Sequence, residues 1–276
     1  KIPLNNKDFP FIHHPNKSIN LYGANIKTDN NGFRLNSKNR NFKDKILLLG
    51  DSFTLGWGVN SDSIISNLIQ EWYFENGIKV QTLNAGCGNY NTVMEVELFK
   101  NKYKDIKPKI VILNYYINDM EKTPNKISNL KYFFLSNFYL DGYLFDKYVK
   151  IKAKYDIGFR NNYYKRIYEK HSHLNRKALS ELSYICKENN IKLLITNIPD
   201  LISLKNYPYQ FASDYIKNNA IELNVEFLDL YNSVKDINPE LLWVSKEDPH
   251  ANGYANYIFS AEIFKKINSL NWISSN

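Results

Sequence analysis

Ser52 and His250 are the two residues in this chain whose chemistry fits together. A serine hydroxyl is a weak nucleophile until an imidazole takes its proton and a carboxylate orients that imidazole. Ser52 closes the run Lys45-Ile-Leu-Leu-Leu-Gly-Asp-Ser52, and His250 ends Glu247-Asp248-Pro249-His250 near the other end of the chain. Asp248 stands two residues before the histidine, with a rigid proline between them that can aim its carboxylate at the far ring nitrogen. Attack on an ester also needs donors aimed at the developing oxyanion, and removing one costs roughly 2.7–4 kcal/mol of transition-state stabilisation. The backbone N–H of Ser52, the N–H of Gly88 and the side-chain amide of Asn118 are the candidates.

These residues can meet only if the chain brings them to one edge. The apolar run 46–49 reads as a strand buried on both faces, ending in a Gly-Asp-Ser turn. Taken alone, such a turn is equally well the plain end of a core strand. Further strands are expected at 80–83, 110–115, 193–196 and 225–230. Helices are expected between them: one capped by Ser61-Asp62-Ser63 and ended by Gly77, and one opened by a Thr92-Val-Met-Glu95 capping box. A third covers 174–188 with Leu174, Ala178, Leu179, Leu182, Ile185 and Cys186 on one face. A fourth covers about 212–223, and the last, about 254–267, turns Tyr257, Ile258, Ala261 and Phe264 inward. Alternation of this kind predicts an α/β fold, a three-layer α/β/α flavodoxin-like domain with a parallel five-stranded sheet. Ser52, Gly88 and Asn118 then follow strands one, two and three at the carboxyl edge, where open sheets bind ligands, and the loop after strand five brings His250 there.

Two regions fall outside this alternation. Residues 1–44 carry Pro3, Pro10 and Pro15, scattered Asn and the pair His13-His14, and read as an extended arm over the surface. Within it, Asn30-Asn31-Gly32 predicts a turn joining 27–28 to 33–34. Residues 120–172 are too long for an ordinary connection and rich in Tyr, Phe and Lys. They read as a helical, aromatic insertion near the active-site edge, either a cap over the site or an extra helical pair on the core.

Composition narrows the classes. The 276 residues suit one large domain with an embellishment, and 43% hydrophobic content supplies a core. A net charge of +8 is spread along the chain rather than clustered, which argues against nucleic acid as a partner. Two cysteines, Cys87 and Cys186, give neither a disulfide framework nor a metal cluster, and no Cys/His spacing fits zinc. No cofactor or metal is expected. No apolar run reaches the roughly 18–20 residues of a membrane span, and no signal-peptide pattern stands at Lys1.

Four blocks together resemble the SGNH, or GDSL-type, hydrolase family: Gly50-Asp51-Ser52, Asn84-Ala85-Gly86-Cys87-Gly88, Asn118-Asp119, and Asp248 with His250. The resemblance implies the fold just read for 45–276 and an ester-hydrolysing Ser52-His250-Asp248 triad. It also implies oxyanion donors at Ser52, Gly88 and Asn118. The chain departs from the pattern at Tyr116, where the third block has glycine, and an Asp-x-x-His form of the last block would put Glu247 in the acidic role. The Asn-Gly-Phe-Arg stretch at 31–34 resembles that of exported bacterial members behind a removed membrane anchor. That implies an envelope location near a membrane surface, with a cytoplasmic one as the alternative, and would fit a carbohydrate ester as substrate.

The leading expectation is a serine esterase removing small acyl groups, acetyl above all, from a small-molecule or glycan ester. An O-acyltransferase, a lipase or thioesterase, and a non-catalytic glycan- or membrane-surface-binding protein are the alternatives. The sequence leaves the oligomeric state open.

Overall fold

The structure of the protein is a computed structural model describing residues 1–3, 11–123 and 157–273. It opens with two small antiparallel pairs, β1 (Ile2–Pro3) with β2 (Phe11–Ile12) and β3 (Ser18–Leu21) with β4 (Ala24–Lys27). The second hairpin was not legible in advance, because its two-residue turn is Tyr22-Gly23 rather than an Asn-Gly type. The predicted Asn30-Asn31-Gly32 turn forms next. Asp29 Oδ1 accepts from Asn31 N and Phe33 N, and Thr28 bridges Arg34. Arg34 also bridges Asn84, so the arm is stitched to the end of a core strand.

That core is a five-stranded parallel sheet. β5 (Asp44–Gly50) lies between β6 (Val80–Asn84) and β7 (Ile110–Tyr115), followed by β8 (Lys192–Asn197) and β9 (Glu226–Asp229). Registers Leu48↔Asn84, Gly50↔Asn114 and Asn114↔Thr196 align the carboxyl ends of four strands. Burial follows position in the sheet. β7 is buried at every residue and β5 from Ile46 onward, whereas edge strand β6 alternates and β9 is half-buried. With right-handed crossovers, strand order two-one-three-four-five places the helices after strands one and five on one face and the three after strands two, three and four on the other.

The helices are α1 (Ser52–Leu55), α2 (Ile65–Glu75), α3 (Thr92–Leu98), α4 (Ile157–Glu188), α5 (Gln210–Glu222) and α6 (Gly253–Ser269). α2 turns Ile65, Ile69 and Tyr73 inward and packs against α6. Buried side chains of this size contribute about 1.5–3 kcal/mol each.

Several local expectations are corrected. Ser63 does not cap α2; its hydroxyl bonds Asp62, and the N-cap is Ile64 with no side-chain bond. Asn91 rather than Thr92 caps α3, accepting from Met94 N at 2.9 Å, and Glu95 makes no reciprocal bond. The helix expected at 174–188 starts at Ile157, and Leu174 is exposed on it. Tyr164 and Tyr168, one turn apart on its first half, are buried against Tyr209, Phe211 and Tyr215, so that half packs on the core. The remainder of the expected insertion, 124–156, lies outside the described residues. On α6 the buried stripe is Ala255, Phe259, Ile263 and Ile267, and Tyr257 is exposed, edge-on to Trp72. His13, expected on the surface, is half-buried, and burial with the nearby Lys1 charge pushes its imidazole down to about 4.

Candidate active site

The turn that carries Ser52 depends on a residue that no other could easily replace. Gly50 has φ 153°, and a Cβ there would stand 2.0 Å from Thr54 Oγ1. Asp51 caps α1, its Oδ1 accepting from Phe53 N at 2.8 Å. Ser52 is therefore the first residue of a one-turn helix, where a backbone N–H has no partner within the helix. At the other end Gly56, φ 74°, closes the turn with N–H bonds to Ser52 O and Phe53 O.

Ser52 Oγ lies 2.9 Å from His250 Nε2, and His250 Nδ1 lies 2.5 Å from Asp248 Oδ1. Asp248 Oδ1 also accepts from the His250 backbone N–H at 3.1 Å. Glu247 is exposed and among the described residues bonds only Ser245, so Asp248 is the acid beside the ring. The loop is preorganised: Ser245 Oγ accepts from Asp248 N, Val244 N donates to His250 O, and Asn252 caps α6 through Ala255 N. Burial pushes the Asp248 carboxyl up. The His250 ring, the His250 N–H and the Trp57 indole outweigh that and hold it below its ordinary value.

Gly88, in the loop after β6, is buried, and a Cβ built on it would lie 3.8 Å from Ser52 Cβ. That loop is fixed by Cys87 N donating to Gly50 O at 3.0 Å and by Asn84 Oδ1 accepting from Gly86 N at 3.0 Å. Among the described residues neither the Ser52 nor the Gly88 N–H has a hydrogen-bond acceptor. Asn118 follows β7, and its Nδ2 donates to Asp51 Oδ2 at 3.2 Å. An amide carries two N–H groups, so one remains to turn toward the serine. Tyr116, in the position where the resembling block has glycine, has φ −129° and ψ 158°, an ordinary extended conformation that any side chain tolerates. Its hydroxyl donates to Asp200 Oδ2 at 2.7 Å.

Two participants were not foreseen. Trp57 Nε1 donates to Asp248 Oδ2 at 3.0 Å, and its ring stacks on His250 at 5.6 Å and 27°. Its position between Gly56 and Gly58, φ 74° and 70°, was the available signal: a large ring displayed on a glycine turn just after the serine. Arg34 is the second. It is 2% exposed, and its guanidinium donates to the carbonyls of Leu55, Gly56 and Val59, the turn that carries Trp57. Among the described residues no carboxylate pairs with it, and burial brings it down to about 10, so it stays charged at neutral pH. A cavity of about 370 Å³ lies beside Arg34, Asn36 and Thr82, but none of Ser52, Gly88, Asn118, Asp248 or His250 lines it.

No protein-family model matches the sequence, and no curated protein matches it. Solved structures do resemble the fold. An acetyl xylan esterase, AlAXEase, is 16% identical, with TM-score 0.53 over 81% of this chain and 99% of that one. TesA is 13% identical, with TM-score 0.54 over 82% and 99%. The psychrotrophic esterase EstA from a Pseudoalteromonas species is 14% identical, with TM-score 0.52 over 82% and 98%. At such identities the likeness establishes the fold, the three-layer α/β/α arrangement of SGNH hydrolases.

Proposed function

We propose that the protein is a serine esterase of the SGNH, GDSL type that removes small acyl groups, chiefly acetyl, from a carbohydrate ester. The observation that carries this reading is the line Ser52 Oγ, His250 Nε2, His250 Nδ1, Asp248 Oδ1, at 2.9 and 2.5 Å, beside the Ser52 and Gly88 N–H groups, which have no acceptor among the described residues. Ser52 attacks the ester carbonyl while its proton passes to His250 Nε2. The oxyanion is met by the N–H groups of Ser52 and Gly88 and by the Asn118 amide. As the tetrahedral intermediate collapses, the C–O bond to the alcohol breaks and His250 returns the proton to the departing oxygen. Water, deprotonated by His250, then splits the acyl-serine and leaves the acid and the free hydroxyl. Asp248 holds the imidazole in the tautomer this relay needs, and Trp57 holds Asp248. The acetyl and carbohydrate parts of the reading draw support from the acetyl xylan esterase among the similar structures.

The test is hydrolysis of p-nitrophenyl acetate, butyrate and octanoate by the wild type, Ser52→Ala and His250→Ala. Activity greatest on acetate, and lower by about 10⁴-fold or more in both variants, is the expected result. A preference for octanoate would overturn the acetyl assignment. Unchanged activity in Ser52→Ala would overturn the triad.

A further inference from the structure

The β3–β4 hairpin turns on Tyr22 and Gly23, with φ 51° and 81°. A two-residue turn with both φ values positive favours Asn, Asp or Gly at its first position, and a bulky aromatic there is an outlier. Burial does not compensate it, since Tyr22 is 61% exposed. Strained, exposed residues of this kind collect at binding sites. The hairpin tip lies at such a place. A Cβ on Gly58 would fall 3.5 Å from Tyr22 Cβ and 2.6 Å from Val244 Cγ1, so the tip rests on the turn bearing Trp57, beside the loop leading to Asp248 and His250. The Tyr22 ring stands 6.2 Å from the Trp57 ring, tilted by 52°, and Trp57 in turn lies against His250.

We infer that Tyr22 and Trp57 form an aromatic subsite for a sugar ring on the alcohol side of the ester, an inference that rests on the esterase reading above. The side follows from the chemistry. The alcohol oxygen must leave within hydrogen-bond reach of His250 Nε2, which protonates it, so the group attached to that oxygen passes the rings next to His250. The exposed Tyr22 and the half-buried Trp57, tilted to one another, offer flat apolar surface to the C–H faces of a pyranose, while its hydroxyl groups stay in water. The arm thus completes the substrate site of the sheet domain.

Glucose pentaacetate and ethyl acetate share an acyl group and differ in the alcohol, so the ratio of their kcat/KM values reads this subsite. Tyr22→Ala is expected to lower the ratio about tenfold, the loss of one ring contact, mainly through KM for the sugar ester. Tyr22→Phe keeps the ratio within about twofold, because the ring face remains. Tyr22→Asn lowers it like alanine yet raises Tm, since asparagine suits the left-handed turn. A purely structural tyrosine would not separate those two readouts. An unchanged ratio in Tyr22→Ala overturns the subsite, and so does a selective loss on ethyl octanoate, which would place the ring on the acyl side. If the wild type cleaves neither ester, titration of Ser52→Ala with glucose pentaacetate by calorimetry decides. Binding weakened by adding Tyr22→Ala keeps the subsite and removes the esterase reading. Equal or absent binding removes the subsite.

Discussion

The turn that carries Ser52 is held from two sides by opposite chemistry. On the sheet side, Ile46, Leu47, Leu48 and Leu49 meet Ile110, Val111, Ile112 and Leu113, all at 0–1% exposure. Contacts of that kind are non-directional, and a core accepts volume-conserving changes with little loss. On the arm side the same turn hangs on one guanidinium, Arg34, and its three carbonyls. Below it, Asn36 Nδ2 donates to Thr82 Oγ1 at 2.8 Å, and Asn36 Oδ1 accepts from Ser66 Oγ at 2.7 Å. Directional bonds fix a position to within a fraction of an ångström, but they fail abruptly when one partner changes. The sheet therefore supplies the stability of the site and the arm its alignment.

Two substitutions separate these contributions. Leu48→Ala is expected to cost about 2–5 kcal/mol in urea unfolding, through lost transfer energy and the cavity left at a fully buried site. The kcat of the folded protein on p-nitrophenyl acetate should stay within about threefold of wild type, because the strand end and its bonds survive. Arg34→Lys should cost less, about 2–3 kcal/mol, because an ammonium cannot reproduce the planar fork and leaves buried carbonyls unpaired. Its kcat, however, should fall about tenfold as Trp57 and the serine turn lose their shared anchor. A kcat lost in Leu48→Ala and kept in Arg34→Lys would reverse the comparison.

The same contrast explains what the sequence made legible. The runs at 46–49 and 110–115 advertise doubly buried strands, and five such signals in alternation were enough for strand count and order. Ser52, Gly88, Asn118 and His250 could be placed together because each follows a strand, so topology alone brings them to one edge. Arg34 was out of reach: nothing in Asn-Gly-Phe-Arg says that the arginine is buried, since its partners are backbone carbonyls that leave no mark in the sequence. Trp57 likewise gains its role only from a carboxylate 191 positions away. Helix faces failed where large apolar residues lie on a boundary. Tyr257 and Leu174 are apolar enough to read as core, yet each sits beside the buried stripe rather than in it.

The arm is clasped again further down, where Arg40 grips Glu71 of α2 with bonds of 2.8 Å to both carboxylate oxygens and Lys38 adds a third at 3.1 Å. These bonds, led by Arg40, bring the Glu71 carboxyl from 4.5 to about 2. A lowered carboxyl contributes stability that is complete above the unfolded value of 4.5 and is lost as pH falls toward 2. Glu71→Gln should therefore cost about 1–2 kcal/mol at pH 7, where hydrogen bonds to a charged group are given up. It should also flatten the decline in Tm measured between pH 5 and about 3. An acid limb as steep as that of the wild type would show that the clasp is idle and that Arg34 and Asn36 secure the arm without it.

Glu95 gives the smallest effect and the opposite sign. It sits on α3, on the sheet side, 1% exposed, with neither carboxylate oxygen hydrogen-bonded among the described residues. Burial, followed by the charge of Asp51, raises its carboxyl well above 4.5, and Glu95 in turn helps to raise Asp119. A raised carboxyl holds its proton in the folded state after the unfolded chain has released it. Its contribution is present below 4.5 and is lost as pH rises through the folded value. Glu95→Gln removes the titration while keeping the shape, at the cost of burying an amide in place of an acid. The variant should match the wild type at pH 4 and be more stable by about 1 kcal/mol at pH 8, read from urea midpoints at the two pH values. A variant less stable at pH 8 would mean that Glu95 is charged and partnered there. The sheet side would then hold the Ser52 turn with a buried charge of its own, as the arm does with Arg34, and the division between apolar support and polar alignment would fail at its centre.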